Sequence, residues 1–550
     1  MQIIVVLLIA LLLVIPTGRY LYALFSGGPE ARGSLERFCH RLIGVPDPAP
    51  VMTWQQYAGT LLLTNGVMAV LAYLLLRLQA LFPWNPRGFG GMEPTLALHT
   101  AISFVTNTNL QHYNGETTLS NFSQMAVITF LMFTASASGF AAAIAFIRGL
   151  AGQPLGNFWT DTTRVILKVL LPVSFVLALV LVWQGVPQTL TGGVEATTLS
   201  GARQIIPLGP VASLESIKHV GTNGGGFFGS NAAHPFENPT PLTNVLHILA
   251  MLWIPTAFLY LFGLFIQNRR QGWIFFAAVS VLFVAMLAHI LFYETQGNPA
   301  LHRMGLPGPN MEGKEVRFGL PGSALFTTVT TAATTGSVNS ALNSLTPLAG
   351  LAPLVLMMLN SVFGGKGVGF MLLTAMAMLT VFLVGLMVGR TPEFLRKKLE
   401  TKEIVLLAIT ILIHPLITLI PASMAVLTAA GRAGISQTAF HGLTQVIYEY
   451  TSAAANNGSE FGGIVGNAPF WNLTTTVVMA LGRYLSLISL LAVSGFMLAK
   501  RPVPESPGTL RTDTPIFAVV LVVIILIVGA LTFFPALALG PIAEHLTLSR

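Results

Sequence analysis

Val105-Thr106-Asn107-Thr108-Asn109, Val220-Gly221-Thr222-Asn223-Gly224, Thr334-Thr335-Gly336-Ser337-Val338 and Asn456-Asn457-Gly458-Ser459-Glu460 interrupt a chain that is otherwise strongly apolar. Each string lies between long hydrophobic segments and joins a small or amide residue to a Thr or Ser. Gly, Asn, Ser and Thr populate turns everywhere, so one such string reads as an ordinary loop. Four strings in the same position relative to paired apolar segments call for a shared explanation. Irregular backbone at membrane depth is tolerated only where it is buried in protein or lines a water-filled cavity.

The rest of the composition identifies the solvent. Of 550 residues, 53% are hydrophobic and 9% are charged, against about 25% charged in soluble domains. Mean hydropathy is +0.73. A crossing needs about 20 apolar residues, and candidate spans fall at 3–25, 57–81, 122–147, 165–184, 245–266, 273–293, 352–389, 402–426, 472–497 and 515–536. The expected fold is an all-α polytopic membrane protein with about ten transmembrane helices. The first apolar run carries its positive charge after it, at Arg19, which reads as a retained span and not a cleaved signal. The single cysteine, Cys39, excludes an internal disulfide framework.

The net charge of +8 sits in short turns and forms no groove for nucleic acid. With the N-terminus outside, the inner turns hold Arg32, Arg37, Arg41, Arg148, Arg164, Arg269, Arg270, Arg390, Arg396, Lys397, Lys398, Lys500, Arg501 and Arg511. This sorting follows the positive-inside rule, and it places all four polar strings on the outer half of the membrane.

A repeat then emerges: span, short semi-apolar segment, polar string, span. The segments before the strings, 95–104, 211–219, 323–333 and 443–455, are too short to cross and read as re-entrant pore helices. The expected organisation is a first span and inner loop over 1–56, pore repeats over 57–147, 148–266, 267–389 and 390–497, and a linker and last span over 498–550. Four such repeats can close around one axis as a pseudo-fourfold pore. Backbone carbonyls on that axis would replace the water shell of a potassium ion without bringing in full negative charge.

The strings align with Asn107, Gly221, Gly336 and Gly458 as central positions, followed by Thr108, Thr222, Ser337 and Ser459 and flanked by Thr106, Val220, Thr335 and Asn457. Gln111 would bind an ion or brace the mouth. Glu116 reads as a satisfied loop carboxylate, and Glu460, next to a string, as a group that concentrates cations. Phe363-Gly364-Gly365-Lys366-Gly367-Val368-Gly369 should break the overlong seventh span, which makes Gly364, Gly365, Lys366 and Gly367 an expected gate. Lys366 would either repel a cation in the cavity or snorkel to the interface. Arg483, inside an apolar span, needs a partner or an aqueous surface. His219, His234 and His247 are too isolated in sequence to suggest a metal site. Gly221 to Gly226 lacks the Gly-Lys-Ser/Thr of a phosphate loop.

The motif Ser103-Phe104-Val105-Thr106-Asn107-Thr108-Asn109 with Gln111 resembles the potassium-transporting A subunit family of bacterial Kdp ATPases. So do Gly221-Thr222-Asn223-Gly224-Gly225-Gly226-Phe227-Phe228, His234-Pro235-Phe236-Glu237-Asn238-Pro239-Thr240, Thr334-Thr335-Gly336-Ser337-Val338-Asn339 and Asn456-Asn457-Gly458-Ser459. The resemblance covers essentially the whole chain. It implies a multi-pass subunit of the bacterial inner membrane, within the superfamily of potassium transporters, that binds potassium. The partners it implies are a P-type ATPase subunit, a single-span subunit and a further, very small single-span subunit. It also implies that the broken seventh span is an intramembrane gating loop. The chain itself has neither the Asp-Lys-Thr-Gly-Thr phosphorylation sequence nor a phosphate loop, so no bound nucleotide is expected and uphill transport would need an energising partner. The alternatives are an autonomous potassium channel, a transporter driven by an ion gradient, and a non-conducting scaffold. Apart from such protein partners, only membrane lipids are expected to surround the chain.

Overall fold

The computed structural model describes residues 2–27, 33–389, 391–504 and 510–548; Arg32 and Arg390 lie outside them. Among the described residues, ten helices are long and apolar enough to cross a membrane: Gln2–Ser26, Trp54–Arg77, Asn121–Leu150, Phe158–Trp183, Pro241–Phe265, Arg269–Arg303, Val368–Met387, Thr401–Leu427, Pro469–Ala499 and Pro515–Leu548. The expected break in the seventh span is present. Pro347–Leu359 ends at Asn360 in a left-handed conformation, and the chain restarts as a helix only at Val368.

Helix starts are written into the sequence. Pro opens Pro94–Val105, Pro241–Phe265, Pro347–Leu359, Pro469–Ala499 and Pro515–Leu537, where its missing N–H would have no partner anyway. Thr53 and Thr240 add reciprocal capping boxes. The four expected re-entrant segments are helices Pro94–Val105, Val211–Val220, Gly319–Ala332 and Ala439–Ala454. At about 1.5 Å per residue none of them reaches across a hydrocarbon core of about 30 Å.

The spans sort into inner and outer rings. Asn121–Leu150 and Pro241–Phe265 are 83% buried, whereas Gln2–Ser26, Trp54–Arg77 and Phe158–Trp183 are 22–28% buried. The first span rides on the flank of an inner one: Gly18 packs against Tyr260, and Trp253 Nε1 donates to Thr17 Oγ1 at 2.7 Å. Two short antiparallel hairpins, Val194–Thr197 with Arg203–Ile206 and Glu393–Phe394 with Lys397–Lys398, fall in connecting segments outside the all-α membrane body. Cations in the connecting turns also brace the structure. Arg148 pairs with Asp161 at 2.8 Å, Arg164 with Glu36 at 3.3 Å and Lys500 with Glu403 at 2.7 Å.

Candidate functional site

All four pore helices end in the same way. One residue takes a left-handed conformation: Asn107 (φ 61°), Thr222 (φ 34°), Thr334 (φ 47°) and Asn456 (φ 52°). The next residue then sends its N–H five positions back, from Thr108 to Ser103 O, Asn223 to Lys218 O, Thr335 to Thr330 O and Asn457 to Ser452 O, at 2.8–2.9 Å. This is the geometry of a helix terminated by a left-handed residue. It lifts the following backbone off the helix axis and towards the centre of the molecule.

There the strings meet head to tail. Asn107 Nδ2 donates to Thr222 O at 2.9 Å, joining the first string to the second. A Cβ on Gly224 would stand 2.7 Å from Thr335 O, joining the second to the third. Likewise a Cβ on Gly336 would strike Asn457 O, and one on Gly458 would strike Thr108 O. The ring therefore closes in chain order. Near its centre, the point 2.7 Å from Thr335 O is also 3.2 Å from Asn457 O and 3.2 Å from Thr108 O. Carbonyl dipoles gathered in this way favour a dehydrated cation.

Backbone geometry gives a register different from the aligned glycines. The equivalent triplets are Asn107-Thr108-Asn109, Thr222-Asn223-Gly224, Thr334-Thr335-Gly336 and Asn456-Asn457-Gly458. Asn109 (φ 60°), not Asn107, corresponds to Gly336 and Gly458. Gly221 is the right-handed C-cap of its helix, three residues before its counterpart Gly224. Pattern reading missed Asn109, Asn223, Gly224, Thr334 and Asn456. The signal available for them was distance from the end of each pore helix, since Asn and Gly both accept left-handed backbone.

The remaining expected residues surround this ring. Thr106 caps the first pore helix, donating to Ile102 O at 2.8 Å, and Val220 ends the second. Ser337 Oγ lies 2.9 Å from His219 Nε2, and Ser459 Oγ lies 2.8 Å from Tyr448 Oη. Gln111 is a brace: its amide donates to Gly226 O at 3.0 Å and accepts from Gly226 N–H at 2.9 Å, clasping strings one and two. Glu116 accepts from Gly229 N–H at 2.9 Å, the satisfied loop role. Asn109 is buried, and neither atom of its amide has a hydrogen-bond partner among the described residues.

Beside the first string, His112 Nε2 lies 3.0 Å from Glu449 Oε1, and Nδ1 lies 2.8 Å from Asn472 Oδ1. Burial disfavours the charged ring, but the hydrogen bond and charge of Glu449 outweigh it and raise the His112 pKa. Glu460 stands beside them with its side chain open to solvent. Desolvation by the surrounding walls, then the Glu449 charge, push its carboxyl up to about 8, and solvent at its tip moderates the shift.

Below the strings, the seventh-span loop is pressed against them. Gly364 N–H donates to Ala332 O at 3.0 Å, and a Cβ on Gly365 would meet Thr334 Oγ1 at 2.6 Å and Thr222 Oγ1 at 3.4 Å. Between loop and strings is a cavity of about 20 Å³ that Lys366 and Arg483 both line. Lys366 therefore points into the cavity and does not snorkel.

Behind the second string is a fully buried ionic triad. Lys218 Nζ donates to Glu215 Oε1 at 2.9 Å and Glu237 Oε2 at 2.8 Å, and Glu237 Oε1 accepts from Phe228 N–H at 2.8 Å. Two histidines that are isolated in sequence do meet here: His219 and His247 stack with centroids 3.8 Å apart, with Glu215 close by. Packing of the pore helix on Pro241–Phe265 brings them together across the intervening loop. The stack does not suit a metal. Both His219 nitrogens are engaged, by Glu215 O and Ser337 Oγ, and the lone pairs of two parallel rings do not converge on one point.

Four re-entrant helices whose carbonyl-bearing ends meet on one axis define a multi-pass pore-loop transport protein. The architecture is similar to that in the crystal structure of the potassium transporter TrkH from Vibrio parahaemolyticus, with a TM-score of 0.55 at 16% identity, over 89% of this chain and 97% of that one. The particular family follows from sequence: residues 4–546 match the profile of the potassium-transporting ATPase A subunit, KdpA, and the chain belongs to that family. It is 51% identical to the potassium-transporting ATPase potassium-binding subunit of Geobacillus kaustophilus, over 98% of each chain. It is 52% identical to the Delftia acidovorans protein of the same name, over 100% of this chain and 98% of that one.

Proposed function

We propose that the chain binds and translocates potassium as one subunit of a P-type, ATP-driven uptake complex, and that the four strings are its selectivity filter. The observation that carries this reading is the meeting of Thr335, Asn457 and Thr108 carbonyl oxygens about one point beside Gly224. Thr106, Asn107, Thr108, Val220, Gly221, Thr222, Thr335, Gly336, Ser337, Asn457, Gly458 and Ser459 shape the filter, with Asn109, Asn223, Gly224, Thr334 and Asn456 completing it. Gln111 keeps two strings in register at the mouth. The Gly364, Gly365, Lys366 and Gly367 loop bars the inner end.

The filter selects the ion, and a P-type ATPase partner supplies the energy. Two single-span partners, one of them very small, complete the assembly in the bacterial inner membrane, with the N-terminus of this chain on the periplasmic side. Sorting of Arg and Lys to the inner turns supports that orientation. Co-purification with a P-type ATPase partner, followed by measurement of potassium-stimulated ATP hydrolysis and of uptake into liposomes, tests the reading. Rapid potassium flux by the chain alone, indifferent to ATP, would favour a channel instead.

A further inference from the structure

The spans that follow the first, second and fourth strings, Asn121–Leu150, Pro241–Phe265 and Pro469–Ala499, lead away from them. Their far ends, with the hairpin of Glu393–Phe394 and Lys397–Lys398 and the turn before Pro515, enclose a cavity of about 640 Å³. Small-molecule sites occupy about 300–1,000 Å³. Phe265 and Leu498 give this one an apolar side, and no string residue lines it.

Four cationic side chains line the cavity, and two of them are already neutralised. Lys500 pairs with Glu403 at 2.7 Å, and Arg511 with Asp513 at 3.2 Å. Arg396 and Lys397 are left with carbonyl oxygens alone: Arg396 Nε donates to Val503 O and Lys397 Nζ to Leu150 O, each at 3.3 Å. Among the described residues no carboxylate lies within ion-pair distance of either. Lys397 is 4% exposed, and a buried cation without a counter-charge is costly. Of the two carboxylates on the walls, Asp513 is held by Arg511 and Asn268, and Glu393 is likewise engaged.

The hairpin turn is itself strained. Leu395 and Arg396 have φ of 49° and 61°, in a two-residue turn that Asn-Gly ordinarily fills. Backbone held in this way clusters at ligand sites. Gln271, on the first turn of Arg269–Arg303, lines the same cavity. It is 2% exposed, and its amide nitrogen has no hydrogen-bond partner among the described residues. The helix end that carries it adds positive potential.

Two unpaired cations and an orphan amide donor suit an acceptor-rich dianion. We propose that this cavity binds the phosphate group of a small anion, with Arg396, Lys397 and Gln271 as its donors and the apolar side for the rest of the ligand. Bound there, the phosphate ties the hairpin to the ends of spans from three repeats. The site stands apart from the filter and does not depend on that reading.

The test is calorimetric titration of the whole complex in detergent with inorganic phosphate and with pyrophosphate. Each should bind saturably. Arg396→Gln and Lys397→Gln should each weaken binding about tenfold, through loss of a charge-assisted hydrogen bond, and Lys397→Arg should bind nearly as the parent does. The difference between parent and variant isolates this cavity from phosphate sites on a partner. Arg396 is exposed, so its exchange leaves folding intact whatever the Lys397 variant does. Retention of phosphatidylglycerol over phosphatidylcholine in native mass spectra, lost in the same variants and without binding of either soluble probe, would assign the phosphate to a lipid headgroup. Equal affinity in the parent and both glutamine variants, or no saturable binding of any probe, would overturn the proposal.

Discussion

Replacing Gly224 by Ala puts one methyl group where three strings converge. Its carbon would lie 2.7 Å from Thr335 O and 3.2 Å from both Asn457 O and Thr108 O, whereas ordinary contact begins at 3.4 Å. Gly224 does not have positive φ, so Ala brings no backbone penalty of its own and the whole effect falls on the ring. Overpacking of this kind costs about 1–3 kcal/mol, and each 1.4 kcal/mol is about tenfold in binding, so the half-saturating potassium concentration should rise about 5- to 150-fold. The assay is potassium-stimulated ATP hydrolysis by the purified complex, with thermal unfolding followed in parallel. The melting temperature should fall by a few degrees at most while the potassium dependence shifts. An unchanged potassium dependence in a normally assembled Gly224→Ala complex would refute the placement of the ion beside these three carbonyls.

Gly336→Asp adds a charged side chain at φ 78° with its Cβ driven into Asn457 O; uptake should fall or discrimination against rubidium and sodium relax, as competition assays will show. Lys218→Met leaves Glu215 and Glu237 buried without their cation and should destabilise the protein by about 3–5 kcal/mol. Combining it with Glu215→Gln and Glu237→Gln should restore most of the melting temperature in detergent. Glu460 has its carboxyl pushed up, to about 8 at most since its side chain is open to solvent, so it gains charge as pH rises across neutrality. Apparent potassium affinity should therefore tighten between pH 6 and 8, and Glu460→Gln should flatten that dependence. Cysteines placed across 364–369 should label differently with and without potassium if the loop moves, and identical labelling would mean a static plug.

The ten crossings were legible because lipid imposes length and apolarity, and the pore helices because they were too short to cross. The seventh-span break at Gly364–Gly369 was legible from glycine density alone. Register within the strings was not. Gly221 looks like Gly336 in sequence, yet it closes a helix with right-handed backbone, while Asn109 does what glycine does elsewhere. Composition records which residues permit a left-handed turn, and only the end of each pore helix fixes which one makes it. The stacking of His219 on His247 and the contact of Lys366 with Ser136 join residues 28 and 230 positions apart, and no local pattern encodes such meetings.

The ring of strings is made by one chain, with four different triplets in four equivalent places. In a pore built from identical protomers, every substitution is made four times at once, and a modest defect becomes a severe one. Here each quadrant has its own codons. Natural drift can alter one wall while three hold their shape, and an experimenter can exchange triplets singly, in pairs or in threes. Ion preference in such a pore becomes a quantity that can be titrated quadrant by quadrant.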